Sequence, residues 1–159
     1  MQFAAIPRRP VPSDAVRVSY DGDEARSGRP PVTRVLIADD SEAFLQRLVA
    51  MLTKLSEIEI VGQARTVQEA SKAVRELRPD VVILDIRMPG GSGIDVLEGM
   101  KRELLSPVVI VLTNYAYSQY RKKCFETGAR FFLDKSGEFE KVSEVLRSLG
   151  PCEPKAPAG

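Results

Sequence analysis

The sequence predicts an α/β fold in which a five-stranded parallel sheet is covered by helices on both faces, the doubly wound class. Two observations carry this prediction. Continuous runs of β-branched and aliphatic residues, typical of strands buried on both faces, occupy residues 35–38, 81–84 and 108–112, with weaker candidates at 58–61 and 131–133. Segments with helical spacing of apolar residues alternate with these runs, which favours five consecutive strand–helix units.

The helices follow the strands in order. Thr66 and Glu69 form a capping-box pattern at the start of the second helix, which ends before Pro79. Gly128 marks the end of the fourth helix. The five helices are predicted over residues 42–56, 66–77, 93–105, 118–127 and 139–149.

The two ends of the chain differ from this pattern. Residues 1–31 hold five of the 11 prolines and show no apolar period, and residues 151–159 are similarly rich in proline and small residues. Such composition is typical of chain that builds no core. We therefore expect one domain over residues 32–150 between a disordered N-terminal extension and a disordered C-terminal tail.

Composition excludes several classes of function. The chain has no histidine, which excludes Ser–His–Asp and Cys–His catalysis, histidine-ligated zinc and a role as phosphohistidine donor. A formal charge of +1 gives no overall field that attracts nucleic acid or an anionic membrane. Two cysteines form no metal or disulfide pattern, and no apolar run is long enough to span a bilayer. These features predict a cytoplasmic protein with no nucleic acid or membrane partner.

Polar residues follow four of the predicted strands. Asp39 and Asp40 end the first, Asp85 the third, Thr113 the fourth and Lys135 the fifth. The carboxyl ends of parallel strands share one edge, so these side chains should meet there. Three carboxylates need a cation, and their oxygens suit Mg²⁺ or Mn²⁺. With a lysine and a hydroxyl, this set can receive a phosphoryl group, and Asp85 is the best nucleophile.

Each of these residues also has an ordinary explanation when taken alone. Asp39 and Asp40 can cap the first helix, and Asp85 can begin the turn that follows it. Thr113 is common strand material, and Lys135 is a typical loop charge. Their joint occurrence at four strand ends favours a single site.

The segments around these residues resemble the receiver domain of bacterial two-component response regulators. The resemblance spans about residues 32–149 and rests on four segments: 35–40, 85–93, 112–113 and 134–135. It implies a flavodoxin-like (βα)5 fold with strand order 2-1-3-4-5. It also implies a phospho-accepting module rather than a turnover enzyme, with a sensor histidine kinase or a histidine phosphotransfer protein as phosphoryl donor.

The resemblance assigns a role to each site residue. It implies that Asp85 is phosphorylated and that Mg²⁺ is the cofactor. Metal ligands would be Asp39 through water, Asp40 and Asp85 directly, and the backbone carbonyl of Arg87. Thr113 and Lys135 would bind the phosphoryl group, with Asp85 completing the catalytic set, and Thr113 and Phe132 would form the conformational switch. Two positions depart from the family pattern: Asn114 replaces a small residue, and Ser136 replaces a proline.

The expected output follows from the short C-terminal segment. Only ten residues follow Leu149, so the sequence predicts signalling through contacts with an unknown downstream protein, without a DNA-binding output domain. A role as a phosphoryl relay or phosphate sink is the alternative. Phosphorylation would draw Thr113 inward and let Phe132 move from an exposed to a buried rotamer. This would remodel the face of the fourth helix, fifth strand and last helix, through which a homodimer is a further expectation.

Three alternatives belong to other classes. A Mg²⁺-dependent aspartyl phosphatase resembles this site in its nucleophile, but that family has an Asp-x-Asp motif that residues 39–41 lack. A scaffold blind to phosphate would not need the complete set of site residues. A nucleic-acid binder would depend on the basic run 121–123, which is more typical of a solvated helix face.

Overall fold

The structure, a computed structural model, describes residues 32–150. The predicted N-terminal extension, residues 1–31, and the predicted C-terminal tail, residues 151–159, lie outside the described residues.

Five parallel strands form one sheet, and a small hairpin follows the third. The strands of the sheet are β1 (Thr33–Ala38), β2 (Ile58–Ala64), β3 (Val81–Leu84), β6 (Val108–Thr113) and β7 (Phe131–Asp134), and the hairpin comprises β4 (Arg87–Met88) and β5 (Gly91–Ser92). The order in the sheet is β2-β1-β3-β6-β7, with all neighbours parallel. The predicted order 2-1-3-4-5 of the five main strands is confirmed.

Helices cover both faces of the sheet, as the fold class requires. They are α1 (Glu42–Leu52), α2 (Val67–Leu77), α3 (Gly93–Arg102), α4 (Ser118–Glu126), α5 (Lys135–Glu138) and α6 (Lys141–Leu149). One apolar core joins the sheet to α1 and α6, and a second joins the opposite face to α2, α3 and α4. Strand side chains alternate between the two cores, which is why the strands are apolar without interruption.

Capping side chains fix where two of the helices begin. The Ser41 hydroxyl caps α1 by accepting from the Phe44 N–H at 3.2 Å, so the aspartates before it are not the cap. The Thr66 hydroxyl caps α2, accepting from the Glu69 N–H at 3.0 Å. The Glu69 carboxylate accepts from the Arg65 N–H, one residue before the position that a capping box uses. The predicted start of α2 is therefore right, and half of the predicted box forms.

The structure corrects three predicted helix ends. Helix α1 stops at Leu52 rather than residue 56, because the chain turns there and Leu55 packs into the core from outside the helix. Helix α3 stops at Arg102 rather than residue 105, because Leu104 takes a left-handed conformation with φ of 59°. The segment predicted as one helix over 139–149 begins only at Lys141, and the short α5 precedes it.

The fold brings the ends of β1, β3, β6 and β7 to one edge of the sheet. The body of each of these strands is buried and apolar, and buried polar side chains appear where the strands end. Within residues 32–150, no helix has the length and apolar character needed to cross a membrane.

Candidate functional site

A buried lysine bridges two aspartates at this edge. The Lys135 Nζ atom lies 2.6 Å from Asp39 Oδ2 and 3.1 Å from Asp85 Oδ2. The exposed fractions of the three side chains are 8% for Lys135, 3% for Asp39 and 6% for Asp85. The three strands β1, β3 and β7 thus deliver one ammonium group and two carboxylates to a single protected point.

Backbone donors hold the other oxygens of the two buried carboxylates. The Ser41 N–H donates to Asp39 Oδ1 at 2.9 Å, and the Ile86 N–H donates to Asp85 Oδ1 at 2.7 Å. Asp40 is exposed beside them. Oxygens of Asp39, Asp40 and Asp85 lie within 4.8 Å of one another, so the predicted carboxylate cluster is present.

Electrostatics couple Asp39 and Lys135. Burial raises the pKa of Asp39 above its ordinary value, and the Asp85 charge adds to this, outweighing the hydrogen bonds from Lys135 and Ser41. Burial alone lowers the pKa of Lys135, but its contacts with Asp39 and Asp85 more than offset that and keep the pKa above its ordinary value. The ammonium is therefore the resident countercharge of the two buried carboxylates.

The donor set fits a hard divalent cation. Three carboxylates converge, two of them buried, and the oxygen ligands are of the kind that Mg²⁺ prefers in proteins. Both oxygens of Asp39 already accept hydrogen bonds, whereas Asp40 faces solvent. Both oxygens of Asp85 are likewise occupied, by the Ile86 N–H and by the Lys135 ammonium.

Thr113 ends β6 and is fully buried. Its Oγ1 accepts a hydrogen bond from the Tyr115 N–H at 3.0 Å, which leaves the hydroxyl hydrogen available to donate. The Arg87 guanidinium, two residues after Asp85, lies 4.5 Å from the centre of the Tyr115 ring. Thr113 and Arg87 therefore belong to neighbouring parts of the same edge.

Phe132 lies on β7, three residues before Lys135. Its ring is only 5% exposed, packs 6.4 Å from the ring of Phe125 and lies 5.6 Å from the Arg121 guanidinium. The expectation that this ring starts from an exposed rotamer is wrong for the structure, because Phe125 and Arg121 of α4 already cover it.

Two residues that shape the site were not predicted as site residues from the sequence. Gly93 begins α3 against the backbone of Asp85, and a Cβ at this position would lie 2.1 Å from the Asp85 carbonyl oxygen. Phe44, which lies within the first predicted helix, places its ring 4.2 Å from Lys135 Nζ. Neither residue carries a polar side chain, so no chemical pattern marks it in the sequence.

The surface of α4 shows how the basic run is used. Lys122 pairs with Glu126 at 3.0 Å, and Lys123 pairs with Glu98 of α3 at 3.7 Å. These pairs support the interpretation of the run as a solvated helix face. On the inner side of α4, burial raises the pKa of the Cys124 thiol to about 11, which leaves it unreactive near neutral pH.

This arrangement of residues agrees with a match to a known protein family. Residues 35–147 match the response regulator receiver domain. The chain belongs to this family. The prediction made from the four sequence segments is confirmed, and the receiver is a signalling module of two-component systems. Family membership implies interaction with histidine kinases or phosphotransfer proteins, and receiver domains bind Mg²⁺ through acidic residues such as those clustered here.

The relatives in sequence include transcriptional regulators. The chain is 34% identical over 122 residues to the transcriptional regulatory protein LiaR of Bacillus subtilis, covering 77% of this chain and 58% of LiaR. It is 34% identical over 114 residues to the uncharacterized transcriptional regulatory protein YvfU of the same organism, covering 72% of this chain and 57% of YvfU. The chain thus spans somewhat more than half the length of these relatives.

The similar solved structures also include response regulators. A DNA-binding response regulator of the LuxR family from Staphylococcus aureus superposes with a TM-score of 0.70 at 28% identity, covering 74% of this chain and 98% of that one. The CheX–CheY–BeF3–Mg²⁺ complex from Borrelia burgdorferi gives a TM-score of 0.68 at 28% identity, covering 74% and 88%.

These relatives overturn one prediction. An output through protein contacts without a DNA-binding domain was predicted from the few residues that follow Leu149. That inference is wrong, because the similar proteins are transcriptional regulators and a DNA-binding response regulator. The present chain aligns with the receiver part of longer proteins, so its length past Leu149 does not decide the output.

Proposed function

We propose that Asp85 accepts a phosphoryl group and that this step is the input to a transcriptional response regulator similar to LiaR. The observation that carries the proposal is the buried bridge of Lys135 between Asp39 and Asp85, with Asp40 and Thr113 at the same edge. The transcriptional output rests on the relatives alone.

One oxygen of Asp85 is held by a backbone hydrogen bond, and the other is the one that attacks phosphorus. Its Oδ1 accepts from the Ile86 N–H, which fixes the carboxylate and leaves Oδ2 turned toward Lys135. During transfer an oxygen–phosphorus bond forms at Oδ2, and the phosphorus–nitrogen bond of the phosphohistidine donor breaks. The bonding electrons leave with the imidazole nitrogen, which belongs to the donor protein because this chain has no histidine.

The carboxylate cluster would hold the metal. Asp40 and Asp85 would bind Mg²⁺ directly, together with the Arg87 backbone carbonyl, and Asp39 would bind it through water. Mg²⁺ would neutralise the charge that develops on the phosphoryl oxygens during transfer.

Lys135 and Thr113 act on the transferred group. Once a phosphoryl group occupies the edge, the ammonium contacts one of its oxygens instead of bridging two carboxylates, and the Thr113 hydroxyl donates to another. Phosphorylation is stoichiometric with the protein, in keeping with a signalling module rather than a turnover enzyme. The new hydrogen bond shifts Thr113. This shift is passed to Phe132, which already lies in the core, and from there to α4.

Several finer points belong to the same proposal. The donor is a sensor histidine kinase or a histidine phosphotransfer protein, and the reaction takes place in the cytoplasm, where kinases of this class obtain ATP. Support for the metal and the phosphoryl geometry comes from the similar CheY of Borrelia burgdorferi, which was solved with BeF3 and Mg²⁺. A homodimer through α4, β7 and α6 stays a prediction.

The test uses a small-molecule phosphoryl donor. Acetyl phosphate with Mg²⁺ should add one phosphoryl group to the protein, detected by intact mass, and chelation of the metal should prevent it. Asp85→Asn should abolish the gain. Asp134→Asn is the matched control, because Asp134 ends β7, with β6 between it and β3, and its carboxylate accepts from the Ser136 N–H at 2.9 Å. An Asp85→Asn protein that is still phosphorylated would refute the proposal.

A further inference from the structure

The ammonium group of Lys135 is enclosed on three sides. Asp39 and Asp85 occupy two of them, and the ring of Phe44 covers a third, with its centre 4.2 Å from Nζ. An ammonium has three N–H donors, and exposed lysines satisfy them with water. Here the aromatic face stands where water would otherwise hydrate the charge.

The ring itself is held in place by a second aromatic contact. Phe139, in the turn between α5 and α6, packs edge-on against Phe44 with centroids 5.4 Å apart and planes at 73°. The Arg47 guanidinium of α1 lies 4.4 Å over the Phe139 ring. Phe44 is buried, so its ring cannot turn away from the ammonium without disturbing this stack.

We infer that Phe44 is a positioning residue for the phosphoryl-binding lysine: its ring face holds the Lys135 ammonium at the edge where Asp85 is phosphorylated. Lys135 must exchange its contacts with Asp39 and Asp85 for a phosphoryl oxygen and must stay within reach throughout. An aromatic face attracts a cation without a directional hydrogen bond, so it retains the ammonium while the other partners change. The inference rests on the proposed function of Asp85.

A ring that only fills space must be distinguished from a ring that attracts the cation. Site-specific incorporation of mono-, di- and trifluorinated phenylalanine at position 44 keeps the packing nearly constant while it weakens the negative face of the ring step by step. The same series at Phe131 is the matched control. Phe131 is half-buried against the same core, and its ring makes none of the cation contacts found within residues 32–150.

Two readouts are compared along the series. The rate of phosphorylation by acetyl phosphate with Mg²⁺ should fall progressively, by about fivefold for the trifluorinated ring. The NMR signal of the Lys135 ammonium should shift in the same graded order, and the Phe131 series should change neither. A rate that does not vary along the Phe44 series overturns the inference, whether or not the signal moves.

Failure of the inference and failure of the proposed function give different results. If no protein of either series is phosphorylated, the function of Asp85 is wrong, and the positioning role falls with it. If the protein with natural Phe44 is phosphorylated and the fluorinated proteins react equally fast, the function stands and only the role of Phe44 is refuted.

Discussion

Two aspartates at opposite ends of the same strand are used in different ways. Asp80 precedes β3, and its carboxylate accepts from the backbone N–H of Arg34 at 2.9 Å. The backbone of Asp80 is itself tied to Arg34 and Val108, at the amino edge of β1 and β6. Asp85 follows β3 and shares a lysine with a second carboxylate. The first aspartate joins strands, whereas the second has a side-chain partner that can move.

The difference teaches which carboxylates are available for chemistry. The Arg34 N–H that binds Asp80 belongs to a strand of the sheet, so this carboxylate serves the fold. Asp85 also accepts from a backbone N–H, that of Ile86, but its second oxygen faces the Lys135 ammonium. Lys135 is fixed only through a flexible side chain, so Asp85 can exchange this partner for a phosphoryl group or a metal. The negative charge around Asp85 is also more concentrated, because Asp85 lies in one cluster with Asp39 and Asp40.

Among the substitutions considered, removal of Lys135 should lower the free energy of unfolding most. Lys135→Ala leaves Asp39 and Asp85 buried without their countercharge, so we expect a loss of about 3 kcal/mol in the free energy of unfolding without Mg²⁺. Excess Mg²⁺ should restore part of this loss. A lysine at a strand end buries little apolar surface, so the cost would be small without this buried bridge.

Chemical denaturation with and without Mg²⁺ measures this effect. Lys141→Ala is the control, because Lys141 forms an exposed pair with Glu138 at 3.0 Å that is worth at most about 0.5 kcal/mol. Equal losses in the two variants would show that the bridge is not a buried ion pair.

Crowding the backbone of Asp85 should have the next largest effect. In Gly93→Ala the new Cβ meets the Asp85 carbonyl oxygen, and we expect a loss of about 2 kcal/mol together with slower phosphorylation. Gly99→Ala on the same helix is the control. Its Cβ would meet nothing closer than 3.6 Å, so the substitution should stabilise the helix by up to about 1 kcal/mol. If both substitutions changed the free energy of unfolding in the same direction, this explanation would be contradicted.

A smaller effect is expected at the amino end of β3. Asp80→Ala removes the acceptor of the Arg34 N–H and should lower the free energy of unfolding by about 1–2 kcal/mol. The rate of phosphorylation by acetyl phosphate should not change, because the site lies at the other end of the strand. A marked fall in that rate for the folded variant would break the distinction between the two aspartates.

Metal binding should give the smallest of these effects. At a Mg²⁺ concentration ten times its dissociation constant, the native state gains about 1.4 kcal/mol, which raises the melting temperature by a few degrees. Asp40→Ala should remove this dependence at little cost to the fold, since Asp40 is exposed. A wild-type melting curve that does not respond to Mg²⁺ would show that the aspartate cluster is no metal site.

The sheet and its edge were predictable because the relevant signals are local. Continuous β-branched runs identified the strands, and parallel topology placed their last residues together. The helix ends at Leu52 and Arg102 were missed because they depend on turns, and Leu104 takes a conformation that only glycine favours in general. The hairpin of β4 and β5 has two residues in each strand, too few to show a period.

The polar residues of the site were predicted from the sequence, but its apolar residues were not. Asp39, Asp85 and Lys135 could be identified because their chemistry is visible in the sequence. The roles of Phe44 and Gly93 depend on which atoms face them in three dimensions, and the sequence contains no sign of that contact. The buried state of Phe132 was missed for the same reason, since it depends on how Phe125 and Arg121 of α4 pack over β7.

The central claim is that Asp85, rather than any other aspartate of β1, β3 or β7, receives the phosphoryl group. The wild-type protein would be treated with acetyl phosphate and Mg²⁺, then with borohydride, which reduces an aspartyl phosphate to homoserine, and mapped by peptide mass spectrometry. We predict homoserine at position 85, and none in a sample from which Mg²⁺ was withheld. Homoserine at Asp39, Asp40 or Asp80, with Asp85 unmodified, would contradict the account.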